Sequence, residues 1–172
     1  MTTQFQLSLS ERLKPLHRER IAIIEAEDFT PLARKVAEET GNHDPDFLEE
    51  GATQLKAYYA LCVIDPLNAH GVSAKLDPFW HAHLLHTRDH MDFCDRVFGG
   101  YLHHEPLDRT DAAALEDATQ TYEYTRQTLQ DAYGDLSKTW WVGSKTDINT
   151  VICVHYKVAD PALNANALFA AH

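Results

Sequence analysis

Residues 79–94 read FWHAHLLHTRDHMDFC, and GGYLHHEP follows at 99–106. Asp77-Pro78 ahead of this stretch is a favourable helix start, Asp as the cap and Pro at the first helical position, and Gly99-Gly100 is a stop. One helix over residues 77–98 is therefore predicted. At about 100° per residue, His83, His86, His90 and Cys94 share one stripe of it, beside a core-facing side that carries Trp80, Leu84, Met91 and Phe98. His81, Arg88, Asp89 and Asp92 spread over the far side.

Six histidines fall between His81 and His104. Imidazoles three or four residues apart, flanking an apolar face, suit transition-metal ligation better than an ordinary solvated helix surface. The glycine pair lets the chain turn back, so that His103 or His104 approaches the helix end. The predicted ligands are His83, His86, His90 and His104, with His81, Cys94 and His103 as second choices. Imidazole with at most one thiolate favours zinc, iron, copper or nickel over calcium or magnesium. Asp77, Asp89, Asp92 and Glu105 are placed to orient ring N–H groups, and Glu105 beside His104 is the candidate general base. A nucleophilic pair of Cys94 with His90 is less favoured, because neighbours mounted on one helix bring no obvious oxyanion donors.

Four further helices are predicted on either side. Residues 10–27 carry Leu13, Leu16, Ile21 and Ile24 at near-helical spacing, and 30–41 form a shorter helix started by Thr30-Pro31. Residues 47–64 carry Phe47, Leu48, Leu55, Tyr58, Tyr59, Leu61 and Cys62, a long buried helix that Asp65-Pro66 ends. Residues 111–133 form another, stopped by Gly134. The expected fold is all-α: one compact bundle of about five helices within a single domain, 1–172, in which 142–172 is an extended C-terminal arm. In that arm TVICVHYKV, at 150–158, reads as a strand with no partner evident elsewhere. It is expected to pair across a dimer, lie as an extended arm, or form a hairpin with the preceding WWV.

The composition of the 172 residues, 44% hydrophobic and 24% charged, is that of an ordinary globular chain. A net charge of −11 argues against nucleic acid as a partner, since phosphate binding needs a concentrated basic face. No apolar run approaches the roughly eighteen residues of a membrane span, and MTTQFQLSLSER lacks a basic segment followed by an apolar one. Cys62, Cys94 and Cys153 form no CxxC pair and suit a reducing compartment, with Cys62 and Cys153 expected as buried thiols. A cytoplasmic location is expected, with no membrane and no nucleic-acid partner, and with a homo-oligomer or a protein partner engaged through the C-terminal arm.

HAHLLH is similar to the HxHxDH motif of the metallo-β-lactamase fold, with His81, His83 and His86 in register, but Leu85 stands where the metal-binding Asp belongs. HExxH, Glu-x-x-His, GxGxxG and the P-loop are absent. A wider pattern runs through Asp77, Trp80, His81, His83, Cys94, Gly99, His104, Tyr133-Gly134 and Trp140. It resembles the glycine-rich domain-containing protein-like family, over roughly residues 47–141. The resemblance implies a helical fold and a special role for the WHAH core, without implying a reaction. The family pairs His81 with His83, which point to nearly opposite sides of an α-helix, so His81 is expected to anchor another segment while His83 serves the cluster. The leading reading is a transition-metal-binding protein, hydrolytic or oxygen-activating if it is an enzyme. The alternative is a metal-free interaction module with a Trp-His core and a C-terminal arm.

Overall fold

The long helix α3 (Pro45–Ile64) is the element against which most others are placed. Asp44 starts it by accepting a hydrogen bond from the Asp46 N–H at 3.1 Å, and Pro45 occupies the first turn, where its missing N–H costs nothing. From Ala57 to Ile64 every residue is buried. Helices α1 (Pro15–Ala26), α2 (Thr30–Thr40), α4 (Asp77–Leu85) and α6 (Ala112–Tyr133) all pack on it. The computed structural model describes residues 10–108, 110–144, 151–155, 158 and 160–172, with the backbone alone at 151–155.

The chain is mostly helical, as expected, but the count differs. Seven α-helices occur among the described residues, because the predicted helix over 77–98 is two helices and a short α7 (Pro161–Asn164) follows the last strand. The break falls at His86, whose φ of −83° and ψ of 60° are not helical. His86 both ends α4 and precedes α5 (Thr87–Phe98), and its Nδ1 lies 2.7 Å from the Ala82 carbonyl oxygen. A side chain that bonds the backbone one turn back competes with the helical ladder at that point. The faces of α5 therefore do not continue those of α4.

The predicted strand does find partners within the chain. β3 (Val151–His155) lies between β1 (His70–Ser73) and β2 (Glu105–Pro106), antiparallel to both, with His155 opposite His70 and Val154 opposite both Gly71 and Glu105. These pairings join segments far apart in sequence. The expected side-chain burial of Cys153 and positions 150, 156 and 157 of the predicted strand lie outside the described residues, while Val158 is buried and its N–H donates to the Pro66 carbonyl at 2.9 Å. Beyond α7 the chain returns to the end of α3. The Leu168 N–H donates to the Ile64 carbonyl at 2.9 Å and the His172 N–H to Asn68 Oδ1 at 2.8 Å.

Two features of this frame position the loop 99–104. Gly99 ends α5 in the left-handed region at φ 67°, a conformation open to glycine at little cost. At the other end, β2 ties residues 105–106 to β3. His104, between these anchors, is brought back against α4.

Candidate metal centre

Asp77, His81 and His104 meet at the start of α4. His81 Nε2 lies 2.8 Å from His104 Nε2, and Asp77 Oδ1 stands 3.4 Å from the His104 nitrogen and 3.6 Å from the His81 nitrogen. Asp77 and His81 are one helical turn apart and share a face of α4, while His104 comes from the loop. Three donors each about 2.1 Å from one ion stand roughly 3.4 Å apart around a tetrahedral centre and about 3.0 Å apart on an octahedral face. The observed separations bracket both values. Among the described residues, this is the group of at least three His, Cys, Asp or Glu side chains whose ligand atoms gather within 4.8 Å.

Asp77 is the residue that sequence reasoning placed differently. Leu76 is the helix cap and Asp77 the first helical residue, with its Oδ1 near both imidazoles. The Asp-x-x-x-His spacing of Asp77 and His81 was the available signal. A capping Asp before Pro78 is the commoner reading of the same residues.

Burial differs across the three. The His104 side chain is 5% exposed and Asp77 10%, whereas His81 is 48% exposed and opens the group to solvent on one side. The Trp80 ring lies against His104, with centroids 4.8 Å apart. On the open side is a cleft of about 460 Å³ whose walls include Leu84, Leu85, Tyr101 and His103 together with His81 and His104. His103 is exposed there, its ring 4.8 Å from that of Tyr101. Glu105 is exposed on β2 and is not among the residues that form the cleft walls.

The remaining histidines of the predicted stripe sit elsewhere. His83 is buried behind α4, its Nδ1 hydrogen-bonded to the Tyr59 hydroxyl at 2.8 Å and its ring 4.6 Å from that of His90. Burial, then the neighbouring His90 and His86, push the His83 pKa down to about 3, and burial pushes His90 down to about 4. Both rings are neutral in ordinary buffers. Cys94 Sγ lies 3.5 Å from His90 Nε2, but burial raises the thiol to about 11. A raised thiol beside a depressed imidazole is not a thiolate–imidazolium pair. His86 is partly buried and directed at its own helix. Thus His104 of the predicted first set joins His81 of the second, while His83 and His90 form a separate buried pair.

Residues 19–137 match the UCP032817-like family. The chain belongs to that family. The matched span contains Asp77, His81 and His104 and both segments that carry them, and it ends before β3 and α7. It also replaces the expected kinship with the glycine-rich domain-containing protein-like family: the residues of that pattern from Asp77 to Tyr133-Gly134 fall within the UCP032817-like match. Neither the curated proteins nor the solved structures compared give a match. No helix among the described residues is long and apolar enough to cross a membrane.

Proposed function

We propose that this protein binds one divalent transition metal through His81 Nε2, His104 Nε2 and an Asp77 carboxylate oxygen, and works as a metalloenzyme at the adjoining cleft. The observation that carries the reading is the 2.8 Å approach of the two Nε2 atoms with Asp77 Oδ1 beside both. A single N–H can serve only one of the contacts converging on His104 Nε2. An ion serves all three donors at once.

Two imidazoles and one carboxylate, with no thiolate, suit ferrous iron or zinc better than cuprous copper. Three protein ligands leave coordination positions open, which is the arrangement of a catalytic rather than a structural centre. When bound, such an ion supplies Lewis acidity and activates water, or dioxygen if it is iron. The chain's own part is to hold the ion at the edge of a cleft whose apolar wall is Leu84, Leu85 and Tyr101. His103 stands on the same wall as the group that can exchange a proton with a bound molecule.

The test is elemental analysis of untagged protein, prepared without chelator and after reconstitution under nitrogen with ferrous iron or with zinc. Near-stoichiometric metal is expected in the wild type and in His86→Ala, and its loss in His81→Ala/His104→Ala. Metal kept by that double variant but lost from His83→Ala/His86→Ala would return the ligands to the stripe read from the sequence. No metal in the wild type would favour the interaction module instead.

A further inference from the structure

We infer that the cleft beside the metal triad takes a small organic monocarboxylate with an aromatic or branched apolar body, its carboxylate on the ion and its body against Leu84, Leu85 and Tyr101. The inference rests on the metal reading and specifies its ligand.

The apolar half comes from exposure. The large hydrophobic side chains that stand exposed among the described residues are Leu85 at 62%, Met91 at 54% and Tyr101 at 45%. Two of these three line this one cleft, Leu85 from α4 and Tyr101 from the loop that carries His104. Scattered exposed apolar residues need no explanation, but two converging on one concavity beside polar donors do. Leu84 and Pro106 extend the same surface. A volume of about 460 Å³ fits a small molecule rather than a polymer chain.

The anionic half comes from charge. Asp77 is the single carboxylate in the triad, so a divalent ion held there would keep one uncompensated positive charge, and two of its three ligands, His81 and His104, line the cleft. Among the described residues no Asp or Glu lines the cleft to repel an anion. An anion at the polar end and hydrocarbon at the other match this surface together. A neutral hydrocarbon would leave the ion's charge unmatched, and a doubly charged small anion would leave the apolar walls unused.

Cobalt-loaded full-length protein provides the test, with cobalt content and the visible cobalt spectrum read first, and benzoate, acetate and benzamide then titrated in. Benzoate is expected to shift the spectrum and to bind at least about tenfold more tightly than acetate, since burying roughly half a phenyl face is enough for that factor. Benzamide should bind more weakly than benzoate. In Leu85→Ala/Tyr101→Ala, cobalt uptake should be unchanged while the preference for benzoate over acetate falls below about threefold. Cobalt uptake with no preference for benzoate, or a preference that survives the double substitution, overturns the inference and leaves the metal centre standing. Benzoate binding equally well to the metal-free protein overturns it too. Failure of the wild type to take up cobalt, zinc or iron overturns both readings.

Discussion

The Nε2 atoms of His81 and His104, 23 residues apart in sequence, stand 2.8 Å apart, with one oxygen of Asp77 within 3.6 Å of each. Two imidazole nitrogens meet so closely only when one donates an N–H to the other or both turn lone pairs to a common cation. Under the proposed function the Asp77 carboxylate beside them is the third donor to a common cation.

Asp77→Asn tests the carboxylate with almost no change in shape. Removing an outer-shell partner of a metal ligand commonly costs 10- to 100-fold in affinity, and a direct ligand costs at least that much. The expected outcome is a loss of zinc affinity of about 100-fold or more, measured by competition with a chelating dye, while the far-ultraviolet circular dichroism is retained. Unchanged affinity would remove Asp77 from the site.

His83→Ala should do the opposite. His83 fills space between Phe29, Phe93 and Tyr59, with ring centroids 5.3, 5.0 and 5.7 Å away, and it partners the buried Tyr59 hydroxyl. Truncation leaves a cavity and an unpaired hydroxyl, for a cost of about 2–4 kcal/mol. Urea denaturation should record that loss, and the folded variant should still take up metal.

Stability should fall as the pH drops from about 6.5 towards 4. His83 and His90 are held down to about 3 and about 4, while in the unfolded chain each titrates near 6.5. In that window the unfolded state binds protons that the folded state refuses, so each site contributes a loss of up to about 1.4 kcal/mol per pH unit. Above the window both states are neutral at these rings and their full contribution is present. Urea midpoints at pH 7 and pH 5 should differ more for the wild type than for His83→Gln. Equal differences would mean that His83 is readily protonated in the folded protein.

Gly51 explains how closely α3 and α4 approach. A Cβ at this position would run into the buried ring of Phe79, two residues after Asp77. Gly51→Ala is expected to destabilise the fold by about 1–3 kcal/mol despite the better helix propensity of alanine. A lower thermal midpoint checks it. A stabilised variant would show that the ring has room to move.

The helix α3 was legible because its signals are local. Asp65-Pro66 ends it, and an apolar surface with Leu55, Tyr58, Tyr59 and Leu61 reads as a buried helix; the start expected at residue 47 falls two residues late, because Asp44 caps the helix and Pro45 opens it. Gly99 likewise marked the end of α5 and the turn that returns His104. The chain's own letters also told of a metal-suited histidine cluster within 81–104. Three things lay beyond them. The break at His86 depends on its side chain bonding the Ala82 carbonyl, a choice that helical periodicity cannot register. The place of β3 depends on β1 and β2, which lie at least 45 residues away along the chain at their nearest paired positions, so no local pattern announces it. The sorting of the histidines into one pair at the cleft, His81 with His104, and a second, buried pair, His83 with His90, was decided by packing. Residue type and spacing say which atoms can bind a metal, but the packing of the loop against α4 decides which lone pairs meet at one point.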